Sequence, residues 1–239
     1  MWDRGSPPSD LVVCARSPAK TALFILAAHN LVQNHILNED GYVTGNLAMT
    51  TTLLSLGREA GLEWEEMGLT PGDVRTNLRI TAMVVIASSA FLAVVPRMPA
   101  VRPHLRDERA PVGPRRESFR RAFVRYPLGT ALFEEAAFRG VLPALLANEK
   151  RSGDLAAALA FAAWHLIPTH HALKVNGIAQ GPKSRIVGTL VGSAAAGLAG
   201  FVLGQVKRKT GSIIAPWLIH SAVNTTSYLS VVRAHPDDT

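Results

Sequence analysis

Four stretches in the second half of this chain are apolar over about the length of helix that crosses the hydrocarbon core of a bilayer, roughly 20 residues. They cover residues 126–148, 155–173, 186–206 and 212–232. A fifth run, 80–96, reaches near span length when 76–79 is added. Two earlier segments are less apolar. Residues 19–37 are interrupted by His29, Asn30, Gln33, Asn34 and His35, and 43–56 is short and rich in Thr. Inside lipid the backbone must satisfy its own hydrogen bonds, which leaves helices or a closed barrel. Continuous apolar runs of this length select helices. The expected fold is all-α: a polytopic transmembrane helical bundle of about seven helices, forming a single integral membrane domain. Residues 1–125 would supply N-terminal helices and a basic linker, and 126–239 the core helices.

Charge is concentrated in the linker. Residues 97–125 hold nine Arg (97, 102, 106, 109, 115, 116, 120, 121 and 125), opposed only by Asp107, Glu108 and Glu117. The positive-inside rule makes this loop cytoplasmic. Its end, residues 117–126, is expected to form a basic helix on the membrane surface. The formal charge of +7 is therefore read as attraction to anionic lipid headgroups, with no nucleic-acid partner, because few aromatics accompany the Arg cluster. Cys14 is the single cysteine, so disulfides within the chain and Cys-based zinc sites are excluded. Residues 1–10 are polar and read as no signal peptide, so insertion would use the spans themselves. Within 186–206, Gly188, Gly192, Ala196, Gly200 and Gly204 recur every four positions, which predicts one face for close helix packing.

Ionisable groups at bilayer depth cost roughly 2.5–3.5 kcal/mol each on insertion scales and rarely face lipid. This chain places them on three of its last four runs. On the first, Glu135 and Arg139 are four apart and share a helix face, whereas Glu134 is rotated about 100° away. Arg139 therefore neutralises one carboxylate and leaves the other in need of a partner. On the second, Phe161 and His165 share a face, and His170 and His171 lie towards the interface beyond Pro168. On the third, His220 and Asn224 are one turn apart. Each of the last two sets alone reads as an ordinary interhelical hydrogen bond. Together the three sets need polar partners, and mutual proximity around a small wet cavity supplies them. Such a cluster has the parts of a hydrolase. A carboxylate serves as general base, imidazoles orient water or bind a metal, and Asn and His N–H groups face a developing oxyanion.

The ordered motifs Glu134-Glu135-xxx-Arg139, Phe161-xxx-His165 and His220-xxx-Asn224 resemble the CPBP (Abi) family of intramembrane proteases, also called the type II CAAX prenyl endopeptidase family. The stretches Thr210-Gly211-Ser212-Ile213-Ile214-Ala215-Pro216 and Met67-Gly68-Leu69 are similar to it as well. The resemblance implies an endopeptidase in which Glu134 and His165 activate water and His220 and Asn224 stabilise the oxyanion, with Glu135 and Arg139 in support. It implies a peptide or protein substrate, with or without a lipid modification. Two His and a Glu (Glu134, His165 and His220) also make a donor set for a divalent metal such as zinc, and a metal-free mechanism uses the same residues. The Arg- and Ala-rich composition points to the plasma membrane of a bacterium. The alternative reading is a non-catalytic membrane interaction protein of the bacteriocin-immunity type. A proton-relay transporter is disfavoured by the absence of internal repeats.

Overall fold

The computed structural model describes residues 17–102, 105–109, 114–148 and 153–234. Residues 1–10, Cys14 and part of the Arg-rich linker lie outside them. The described residues are helical and contain no strand. Helix α1 spans Pro18–His35, α2 Glu39–Glu59 and α3 Val74–Val94, which closes in a tight turn at Val95–Arg97. Helix α4 runs without interruption over residues 115–148. Then follow α5 (Gly153–Trp164), α6 (Leu166–Val175), α7 (Pro182–Thr210) and α8 (Ile214–Ala234). With α5 and α6 counted as one broken rod, the described residues hold seven helices, as the sequence predicts.

Side-chain oxygens start several of these helices by accepting otherwise orphaned N–H groups. Asn38 caps α2 through Gly41 N at 2.8 Å, and Asp73 caps α3 through Thr76 N at 3.0 Å. Helix α4 is central. It packs against α1, α2, α5 and α8, while α7 lies on α5 and α6, and α3 lies on α8. The core between α1, α2, α4 and α5 is built on Leu26, Leu53, Phe133, Leu142, Phe161 and Trp164. The small-residue face of α7 is used as expected. A methyl group at Gly192 would stand 2.7 Å from Thr169, and one at Gly200 2.8 Å from the Phe161 ring.

Two helices among the described residues, 74–97 and 182–210, are long and apolar enough to cross a membrane. Their outer faces expose Leu78, Met83, Ile86, Val187, Leu190, Val191 and Leu198. An apolar belt of this extent is stable in hydrocarbon and costly in water. The other expected spans fall short individually, for physical reasons. Residues 126–148 carry Glu134, Glu135 and Arg139, residues 155–173 are broken at His165, and α8 is diluted by His220, Asn224 and several hydroxyls. The expected surface helix over 117–126 is instead the beginning of α4. Glu117 and Glu39 draw its arginines inward: Arg121 pairs with both at 3.0 and 3.5 Å, and Arg125 pairs with Glu39 at 3.2 Å. The division placed at 125/126 therefore falls within one helix.

The loop between α2 and α3 docks on the turn between α7 and α8. Gly68 O accepts from Ile213 N at 2.9 Å, and Asp73 N donates to Thr210 O at 2.7 Å. Two segments far apart in sequence, around Met67-Gly68-Leu69 and Thr210-Gly211-Ser212, are thus one junction. Gly72 sits in it at φ +58°, with space for no methyl group: a Cβ would lie 2.1 Å from Thr210 O. Gly72→Ala is expected to destabilise the protein by more than about 1 kcal/mol, because the conformation and the close approach both exclude a side chain. Thermal unfolding in detergent measures this, and an unchanged midpoint would contradict the junction.

Candidate active site

The acidic turn of α4 lies in an unusual stretch of helix. Residues Arg121–Ala131 and Ala136–Val141 are wound with the wider i→i+5 pattern, flanking an ordinary α turn at Leu132–Glu135. Such π turns are rare and recur at functional sites. Pro127 removes one N–H from the first of them, and its own carbonyl accepts the Trp217 indole at 2.8 Å, tying α8 to α4. Glu134, Glu135 and Arg139 are all buried, at 5%, 0% and 2% exposure.

The two adjacent carboxylates have separate partners. Glu135 is held from both sides: Oε2 lies 3.3 Å from Arg139 Nε, and Oε1 lies 2.7 Å from His220 Nδ1. A carboxylate accepts, so His220 carries its hydrogen on Nδ1 and directs Nε2 elsewhere. That nitrogen stands 3.8 Å from Glu134 Oε2, beyond hydrogen-bond length. Glu134 Oε1 accepts from the Trp164 indole at 3.1 Å. Among the described residues, no group donates a hydrogen bond to Glu134 Oε2. Arg139 completes its surroundings by stacking over the Phe161 ring at 4.0 Å.

His165 occupies the break between α5 and α6. Pro168 lacks the N–H that would bond Trp164 O, and the chain loosens there. Asn30 of α1 supplies the missing donor, with Nδ2 2.8 Å from Trp164 O. His165 bonds Phe161 O through Nδ1 at 2.9 Å. A carbonyl only accepts, so the hydrogen is on Nδ1 and the Nε2 lone pair is free.

Two hollows meet at these residues. A polar cavity of about 700 Å³ is lined by Glu134, Trp164, His165, His220 and Asn224, and towards its mouth by Asp107, Arg109 and Arg125. An apolar groove of about 510 Å³ runs between α7 and α8 past Ala195, Ala199, Val202, Ile219 and Val223. It shares His165, His220 and Asn224 with the polar cavity. The structure thus brings Glu134, His165, His220 and Asn224 around one hollow, with Glu135 outside it and Arg139 on the wall of the apolar groove. His171 also lines the polar cavity, whereas His170 faces Thr189 of α7 at 3.5 Å.

Among the described residues, no three His, Cys, Asp or Glu side chains gather as metal ligands. Of the expected donor set, His220 gives one nitrogen to Glu135 and holds the other 3.8 Å from Glu134 Oε2, and His165 lines the same cavity. The sequence reading also misses groups that hold the site. Trp164 lies inside the Phe161-xxx-His165 stretch and is read only as a spacer. Asn30 and His29 are read only as interruptions of an apolar run. The hint lay in their number, since buried amides and imidazoles need partners.

Residues 117–226 match the family model described as type II CAAX prenyl endopeptidase Rce1-like, a family of membrane-embedded proteases. All three motif sets lie within that segment. Comparison with curated proteins and with solved structures yielded no match.

Two expectations follow from the geometry. Removing Arg139 takes the guanidinium from the buried Glu135 carboxylate, so Arg139→Leu should cost about 3–5 kcal/mol of stability. Thermal unfolding with Glu134→Gln as the mild comparison tests this. At the cavity mouth, burial pushes the Asp107 carboxyl up, but hydrogen bonds from Arg109 and Asn176 outweigh it and hold the group below its ordinary value. A lowered folded-state pKa gives stability that is present above the unfolded value, near 3.9, and lost as pH falls through the folded one. The stability difference between wild type and Asp107→Asn should therefore be constant from neutral pH down to about pH 4 and shrink below it. A difference that disappears already near pH 6 would contradict the assignment.

Proposed function

We propose that this chain, whose residues 117–226 match the type II CAAX prenyl endopeptidase Rce1-like family model, hydrolyses a peptide bond at the membrane with water activated by Glu134. The observation that carries the reading is the division of labour between neighbouring carboxylates. Glu135 is consumed by Arg139 and His220, whereas Glu134 lines the polar cavity with one oxygen fixed by Trp164 and the other unclaimed among the described residues.

In this reading the free Glu134 oxygen takes a proton from water, and the water oxygen bonds to the scissile carbonyl carbon. His165 Nε2 orients that water. The negative charge that develops on the carbonyl oxygen is met by His220 Nε2–H, in the imidazolium form, and by the Asn224 amide. The carbon–nitrogen bond then breaks, and Glu134 returns its proton to the leaving amine. Glu135 fixes the His220 ring, and Arg139 keeps Glu135 from carrying an unbalanced charge. The substrate is a peptide or protein. Its apolar part, including any lipid attached to it, fits the groove between α7 and α8, where small and branched side chains form the walls. The Arg-rich segment around the cavity mouth is cytoplasmic and rests against anionic headgroups, which places cleavage near that side.

A quenched-fluorescence peptide with a farnesylated cysteine, presented in nanodiscs, is the direct probe. The wild type should cleave it. Glu134→Gln should lower kcat by about 10²–10⁴ or more while leaving the protein folded. A chelator should leave the wild-type rate unchanged, because the proposed groups activate water without a metal ligand set. Cleavage by Glu134→Gln at the wild-type rate overturns the reading, as does failure of the wild type on both the farnesylated peptide and its unmodified counterpart.

A further inference from the structure

We infer that Asn30, on α1 and outside the matched segment, is a positioning residue for Glu134 and acts through Trp164. This rests on the hydrolase reading above for its catalytic consequence, but its geometry stands apart from it.

Asn30 is buried, at 7% exposure. Its amide has a defined orientation: Oδ1 accepts from Asn34 Nδ2 at 2.5 Å, which turns Nδ2 towards Trp164 O at 2.8 Å. That carbonyl has no helical partner because residue 168, four places on, is Pro. Left without a donor in an apolar core, it would be costly, and closing the break would not satisfy it, because Pro168 has no N–H to give. Asn30 supplies that donor and so fixes the backbone at the break beside His165.

The break sets the direction of the Trp164 ring. The indole packs against Phe133 and Phe138, with ring centres at 5.4 and 5.5 Å, and stacks on His29 at 6.3 Å. His29 is itself fixed by Asn46 at 2.6 Å, and Asn46 donates to Gly129 O of α4 at 2.7 Å. With the ring so held, Nε1–H reaches Glu134 Oε1 at 3.1 Å and directs the second carboxylate oxygen towards His220. Asn30 and His29 of α1 and Asn46 of α2 thus act together on the orientation of one indole. A merely structural Asn30 would lower stability without moving that N–H.

The test pairs a spectroscopic readout with kinetics. The indole N–H resonance of Trp164 is identified by its loss in Trp164→Phe. Asn30→Leu should shift that resonance. On the farnesylated peptide it should lower kcat by about tenfold or more with KM within about twofold, as expected for misplacement of a catalytic group. In the Trp164→Phe background, Asn30→Leu should cost nothing further in kcat, although its stability cost persists. Should Asn30→Leu fail to accumulate, Asn34→Ala frees the Asn30 amide to turn and should shift the same resonance in a folded protein. An unmoved indole resonance, or kcat losses that simply add in the double variant, overturns the inference. A shifted resonance in a protein whose Glu134→Gln variant remains active overturns the hydrolase reading alone.

Discussion

Two carboxylates on consecutive residues of one buried helix cannot both be left charged and unpaired. The arrangement around Glu135 answers that constraint, and the rest of the site depends on it. Arg139 approaches from one side at 3.3 Å and His220 from the other at 2.7 Å, which ties α8 to α4 by a charge-assisted contact across 85 residues of chain. Because Glu135 is occupied, the ring of His220 is fixed and its second nitrogen faces Glu134. The neighbour then needs only a neutral donor, and Trp164 provides one. Charge is balanced behind the cavity, so that a single carboxylate oxygen remains free at its wall.

The second constraint is a proline that is easy to read as a defect. Pro168 costs α5 and α6 a helical hydrogen bond, and without that cost His165 would continue an ordinary helix face. The break loosens the chain there, leaves the carbonyl of Trp164 for Asn30, and puts His165 at a wall shared by the polar cavity and the apolar groove. A similar trade occurs in α4, where Pro127 has no N–H to give the carbonyl five places back, Ala122 O, and the Thr225 hydroxyl of α8 donates to it at 2.7 Å. In both places a backbone group released by proline becomes the anchor between two helices, which is how irregular backbone is tolerated away from water.

The helical fold and the pairing of Glu135 with Arg139 were legible because they depend on local periodicity. A four-residue spacing puts Glu135 beside Arg139 and turns Glu134 away, and this needs no knowledge of other helices. The convergence of His165, His220 and Asn224 was legible only as a demand for partners. What spacing cannot show is which partner each one takes. The contact between His220 and Glu135 depends on how α8 leans on α4, and the indole bond to Glu134 on a ring rotamer. The basic helix expected over 117–126 forms as the first turns of α4, but the partners of its arginines were hidden for a related reason. Its arginines were weighed against lipid, while Glu39, some eighty residues earlier, offers them a closer anion. Among the described residues two helices are long and apolar enough by themselves to cross a membrane, because helices rich in polar groups are less apolar than helices that face only lipid.

The two halves of the chain therefore do different work on one site. The groups proposed to react all come from α4, the break after α5, and α8, within the matched segment. The groups that hold them reach in from elsewhere: Asn30 and His29 from α1, Asn46 from α2, and Gly68 of the following loop, which fixes the start of α8 through Ile213. A site at membrane depth favours this separation. Each catalytic group must be kept partly unsatisfied to react, and an unsatisfied polar group in a dry core is a source of instability. Supplying compensating hydrogen bonds from other helices lets Glu134 Oε2 stay free while the groups that hold it, Trp164, Asn30 and His29, are bonded. The polar residues that make α1 and α2 poor spans by hydropathy are, on this argument, the reason the later helices can afford a reactive carboxylate.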